Sequence, residues 1–271
     1  MPRILTVWPP GGAVITMSVA PLEPTALNIT LMITCLGDCF RPAAGKAVVN
    51  LLRRLGHTIH FPQDQTCCGQ PMFNSGLKEL AREQARHTIT VFECDDNPIV
   101  CPSGSCAAMV KVEYPHLLHD DPEWHARAQR LAARTHEFSH FLVHQLSVLD
   151  VGAKFQGRVA YHEACHLRML GQMTNWDRAG DVEQLVRHVA GAEFMAIPRQ
   201  DQCCGFGGSF AVRYPEISAS LVNDKVNCVL STQADVLVST DAGCLMNIGG
   251  RLHRRGEKIE VLHIAELLER Q

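Results

Sequence analysis

The chain has 271 residues, 46% hydrophobic and 20% charged, which is enough apolar material for one large core or two ordinary ones and excludes a disordered chain. Its formal charge is −3 and no basic run occurs, so composition gives no support for a nucleic-acid or anionic-membrane partner. The 12 cysteines are about 4% of the residues, well below the ~8–10% of a small disulfide scaffold.

Residues 1–27 read as an appended arm. Pro9, Pro10, Gly11 and Gly12 interrupt its apolar residues, so no stretch of ~7–15 apolar residues forms a signal peptide. No run of ~20 apolar residues exists to span a membrane. The expected location is therefore the cytoplasm, where clustered cysteines bind metal or act in redox chemistry more often than they form disulfides.

From there the chain alternates strand and helix. An apolar strand at 29–34 leads to a helix over 43–55, with Ala47, Val48, Leu51, Leu52 and Leu55 on one face. A strand at 57–61, a helix at 77–93 and a strand at 97–101 follow. A helix around 123–133, a short strand near 135–138 and a closing helix complete the first half. The join falls near 147–157, around Gly152 and Gly157. The second half reads as strand 157–164, helix 181–190, strand 192–197, helix 215–231, strand 235–240 and strand 258–263 with a last helix. Alternation of this kind predicts an α/β fold of two repeated domains, 28–150 and 151–271, each a small parallel sheet flanked by helices.

The cysteines carry the repeat. Cys35, the pair Cys67-Cys68 and Cys106 are matched by Cys165, the pair Cys203-Cys204 and Cys244, with spacings of 32 and 38 residues from single to pair and 38 and 40 from pair to last. VVNLLRRLGHTIHFPQDQTCCG (48–69) parallels VEQLVRHVAGAEFMAIPRQDQCCG (182–205), and RTHEFSHFLVHQL (134–146) parallels KIEVLHIAELLER (258–270). Each repeated cysteine follows a predicted strand. Carboxyl ends of parallel strands share one edge, where open α/β sheets bind ligands, so two pockets with four sulfurs each are expected.

Four thiolates suit zinc or an iron–sulfur cluster. Adjacent cysteines fit one tetrahedral zinc poorly, but they can reach different irons of a wider cluster. Gly69, Gly205, Gly207 and Gly208 beside the pairs let backbone N–H groups approach cluster sulfurs. Cys39 and Cys101 have no counterparts in the other half and are candidates for extra ligands. Cys94 and Cys228, on predicted helices, read as small buried hydrophobes. His162 and His166 bracket Cys165; they either assist a cluster or are a plain strand-end and helix-start pair. Ser103 and Ser105 read as turn residues, and GFGG (205–208) lacks the spacing and lysine of a phosphate loop. A zinc-stabilised interaction module and a thiol–disulfide reductase remain open as alternatives.

TCCGQPMFNSG (66–76), PSGSCAAMV (102–110), YHEACHLRMLG (161–171), QCCGFGGSFAV (202–212) and STDAGCLMNIGG (239–250) resemble the motifs of the cysteine-rich CCG domain. That domain is shared by the catalytic subunit of heterodisulfide reductase, the iron–sulfur subunit of glycolate oxidase and the LutA/YkgE family, whose motifs are the most similar. The resemblance spans about residues 28–271. It implies an iron–sulfur electron-transfer subunit of an L-lactate oxidation system, with two iron–sulfur clusters. The implied partners are a ferredoxin-like iron–sulfur subunit and a third small subunit. The general domain ends in C-x-x-C, whereas Ser103 and Asp241 stand at the first of those positions here. Four thiolates per half then imply clusters of the [4Fe–4S] type held by Cys35, Cys67, Cys68 and Cys106 and by Cys165, Cys203, Cys204 and Cys244, with Asp241 a candidate oxygen ligand.

Overall fold

The computed structural model describes residues 3–7, 15–19, 26–174 and 179–271. Within the expected arm, β1 (Arg3–Val7) and β2 (Ile15–Val19) pair antiparallel with Arg3 opposite Val19, a hairpin that the sequence did not announce. The rest of the arm up to residue 25 lies outside the described residues.

The first half builds a sheet from β3 (Asn28–Leu31), β4 (Thr58–His60), β5 (Ile99–Cys101) and β6 (Thr135–Glu137), in the order β4-β3-β5-β6 and all parallel. The second half repeats the plan with β7 (Lys154–His162), β8 (Ala190–Met195), β9 (Val236–Ser239) and β10 (Glu260–His263), in the order β8-β7-β9-β10 and again all parallel. Both central strands β5 and β9 are buried along their whole length, because helices cover both faces of a parallel sheet. In this strand order the chain leaves the two middle strands in opposite directions. That opens a crevice beyond their carboxyl ends, β3 with β5 in one half and β7 with β9 in the other.

The long helices lie close to where periodicity places them. Pro42–Arg54 buries Ala44, Ala47, Val48, Leu51 and Leu52; Lys78–Phe92, Pro122–Arg134 and Pro215–Ser231 match their predicted spans within a residue or so. Four further helices were not expected: Cys35–Phe40, Gly104–Ala108, Cys165–Thr174 and Ala242–Arg254, each beginning at or within two residues of a repeated cysteine. Three of them have a side-chain cap at the entry, with Thr34 accepting from Gly37 N, Ser103 from Cys106 N and Asp241 from Gly243 N. Ser103 is thus a helix cap rather than a turn residue. Cys94 also departs from expectation: it sits past the end of Lys78–Phe92 and is exposed, whereas Cys228 is buried in its helix as read.

The repeats do not keep separate cores. One apolar cluster joins Ala107, Met109 and Tyr114 to Ala160, Leu167, Val226 and Leu237; the other joins Ile29, Val48 and Leu51 to Val159, Val182, Val236 and Leu268. The last helix, Ile264–Glu269, packs on Pro42–Arg54, and Arg54 donates to Leu268 O at 3.3 Å and to Val151 O at 3.2 Å.

β10 ends on His263, which is buried. Its Nδ1 accepts from Ala265 N at 3.2 Å, so Nε2 carries the proton and donates to Pro102 O of the first half at 3.1 Å. Burial pushes this imidazole down to about 4; burial, then Lys111 and His140, push His136 down to about 4 as well. Both rings are neutral in the folded protein below the pH at which they charge in the unfolded chain, near 6.5. Their stabilisation is complete above that pH and is lost as pH falls toward 4. From pH 7 to pH 5, His263 is expected to take about 2 kcal/mol from the unfolding free energy. Urea unfolding of wild type and His263→Asn, which can still cap the helix, should show a smaller pH dependence in the variant. Equal slopes would assign the acid sensitivity elsewhere.

Candidate metal centre

All eight repeated cysteines line one cavity of about 520 Å³ between the carboxyl edges of the two sheets. The expectation of two pockets is corrected here: two groups of four thiols open onto a shared chamber. Each group is assembled alike. One cysteine opens the helix after the first strand, Cys35 or Cys165; the pair sits in the loop after the second strand; the last, Cys106 or Cys244, lies in the first turn of the helix after the third strand. In both groups the second cysteine of the pair and the last one are buried (Cys68, Cys106, Cys204, Cys244), while Cys35, Cys67, Cys165 and Cys203 are half-buried.

All 12 cysteines are free thiols. The Cys68 and Cys106 sulfurs stand 3.4 Å apart, a contact and not a bond. Within each pair the neighbours touch each other and each also reaches a further sulfur of its own: Cys67 meets Cys35 while Cys68 meets Cys106, and Cys203 meets Cys165 while Cys204 meets Cys244. That fanning is what a cluster of several irons requires of adjacent cysteines, and it fits a single tetrahedral zinc poorly. Gly69 and Gly205 make it possible, with φ of +85° and +80°; a Cβ at Gly205 would lie 2.7 Å from Ser218 O. Gly205 N also donates to Cys203 Sγ at 3.3 Å.

In each group some thiols are held ionised by the others. Donation from Cys35 and Cys68 pulls Cys67 down to about 3, and donation from Cys165 and Cys204 pulls Cys203 down to about 2. Cys101 and Cys68 likewise lower Cys106. The donors Cys35 and Cys165 are pushed up by the thiolates beside them and by burial. Each group therefore holds thiolate charge with shared protons that a metal would displace. The N-termini of Cys165–Thr174 and Ala242–Arg254 add a favourable dipole at Cys165 and Cys244.

A family model for the CCG cysteine-rich domain matches residues 29–111 and again 159–249. Lactate utilization protein A of Anoxybacillus flavithermus is 49% identical over 244 residues, 89% of this chain and 99% of that protein. The proteins of the same name from Bacillus licheniformis and Geobacillus kaustophilus are 48% identical, each over 89% of this chain and 99% and 98% of their own lengths. The chain belongs to the lactate utilization protein A family. Among solved structures, a glutamate racemase from Bacillus anthracis aligns over 91% of this chain and 79% of its own with TM-score 0.34 and 11% identity, too distant to bear on function.

The extra-ligand candidates of this family member fare differently. Cys101 is buried at the end of β5 behind Cys106, with its thiol 3.6 Å from Ser103 O, so it adjoins the first group. Cys39 is exposed on Cys35–Phe40 and does not line the chamber. Asp241 lines it, but both carboxylate oxygens are engaged: Oδ1 accepts from Gly243 N at 3.2 Å, and Oδ2 accepts from Ser103 Oγ at 3.1 Å and Ser105 N at 3.0 Å. Its present work is to stitch the two halves together.

His166 faces the chamber with Nδ1 3.6 Å from Cys165 Sγ. His162, at the end of β7, is instead buried behind the second group, and burial pushes it down to about 3, leaving a neutral imidazole. A ring nitrogen of His162 and the sulfurs of Cys204 and Cys244 lie within 4.8 Å of one another. Sequence missed a further cluster: Asp181 bridges His140 Nδ1 at 3.2 Å and His144 Nε2 at 2.8 Å. The i, i+4 histidine spacing was a visible signal, but Asp181 comes from the other half. Among the described residues no helix is long and apolar enough to cross a membrane.

Proposed function

We propose that the protein is an iron–sulfur electron-transfer subunit of a cytosolic L-lactate oxidation system, with two clusters of the [4Fe–4S] type. Cys35, Cys67, Cys68 and Cys106 hold one, and Cys165, Cys203, Cys204 and Cys244 hold the other. The observation that carries this reading is the convergence of both cysteine groups on one chamber, with each adjacent pair fanned toward different sulfurs. The relatives' names supply the substrate.

Each cluster supplies a one-electron redox site, and two such sites on one chamber match the two electrons released when lactate becomes pyruvate. The chain's own part is to keep those sites half-buried, to donate Gly205 N–H toward sulfur, and to place the His166 imidazole beside them. A ferredoxin-like iron–sulfur subunit and a third small subunit are the proposed partners that carry electrons away.

The test is anaerobic purification followed by iron and sulfide analysis, EPR after dithionite reduction, and a lactate-dependent reduction assay with the two partners. Brown protein with equimolar iron and sulfide, reduced by lactate only when the partners are present, is expected. Colourless protein with stoichiometric zinc would overturn the proposal in favour of a structural module.

A further inference from the structure

We propose that His162 is a further direct ligand of the metal centre in the second half, beside its four cysteines, so that this centre has five protein donors where the first has four. This rests on the iron–sulfur reading above. His162 is the last residue of β7 and its side chain is 1% exposed, yet neither ring nitrogen has a hydrogen-bond partner. A buried imidazole almost always satisfies at least one of its nitrogens. Here the neighbours that come within ligand distance are two buried sulfurs, Cys204 and Cys244, and the three donor atoms lie within 4.8 Å of each other. A metal bound to those thiolates accounts for the orphaned nitrogen by taking its lone pair.

Further unpartnered polar atoms lie on the neighbouring strand. Ser239 is the register partner of His162 on β9, and its Oγ is buried without a partner, as is Thr240 Oγ1 next along the chain. An outer hydroxyl that orients a ligating imidazole is a common supplement to such sites.

The first half lacks this arrangement. Met32, also buried, precedes Cys35 by the same three positions as His162 precedes Cys165. Cys101 stands five before Cys106, where Ser239 stands five before Cys244, and its thiol bonds toward Cys106. At the matching positions the first group thus has the sulfurs of Met32 and Cys101, while the second has an imidazole nitrogen and a hydroxyl. Neutral imidazole adds no negative charge to a cluster, and a donor present in only one half sets the potential of the second centre apart from that of the first.

The experiment uses full-length protein labelled with nitrogen-15 histidine, purified and reduced anaerobically, and examined by pulsed EPR. Wild type is compared with His162→Ala and His166→Ala, and redox titration of each follows. A histidine nitrogen coupling of the size of a direct ligand is expected in wild type and in His166→Ala. It should vanish in His162→Ala together with a shift of one of the two potentials and not the other. Iron and sulfide present with no such coupling would overturn the inference while leaving the iron–sulfur reading intact; so would a coupling lost in His166→Ala alone. Absence of iron would overturn both. Should His162→Ala fail to fold, wild type and His166→Ala still decide, because among the described residues these are the two histidines placed against the second cysteine group.

Discussion

Replacing Cys68 with serine is expected to remove the iron of the first group and leave that of the second, so that iron and sulfide fall to roughly half. Cys68 is buried in a loop fixed by Gly69, and its sulfur stands 3.4 Å from that of Cys106. A serine hydroxyl keeps its proton near neutral pH and is a poor donor to iron. Cys204→Ser should do the converse, sparing the first group's EPR signal. Because the cysteines of both groups line one chamber, either variant should lower lactate-driven electron transfer at least ~10²-fold, about 3 kcal/mol or more in barrier, if both centres lie on the path. Loss of all iron from either single variant would mean instead that the eight thiols hold one shared assembly.

The second large effect is structural. Asp241→Ala should cost about 2–4 kcal/mol of stability, read as an earlier urea midpoint, because three donors lose their acceptor in a buried site. Those donors are Gly243 N on its own helix and Ser103 Oγ and Ser105 N on the helix that carries Cys106. Asp241→Asn keeps one oxygen and should recover part of the loss. If Asp241 were a metal ligand first of all, its alanine variant would change the EPR spectrum strongly while the urea midpoint held.

Much of this was legible in the residues. The apolar stripe of 43–55 locates the helix Pro42–Arg54. The recurrence of single, paired and last cysteines gives both the duplication and the eight residues that meet. The helices that open at the cysteines were harder to read: Cys35–Phe40 and Gly104–Ala108 are only 6 and 5 residues long, too short for periodicity to register. Their caps, Thr34 and Ser103, were the available signal, and Ser103 was read as a turn because the two roles use the same chemistry. Cys94 lies just past the end of its helix, where the helical period no longer says which face is covered. The merging of two pockets into one was illegible for a deeper reason. Periodicity describes a half on its own, whereas the facing of the halves is set by side chains such as Leu167 and Leu237 packing with Ala107 and Met109 across the join.

That interleaving bears on how the duplication must have settled. Two copies with private interiors could drift, be shuffled or be lost one at a time. Copies whose interiors are built from both, with Arg54 fastened to Leu268 and His263 to Pro102, are bound to a common fate. A change tolerated in one must be answered in the other, and neither is free to leave.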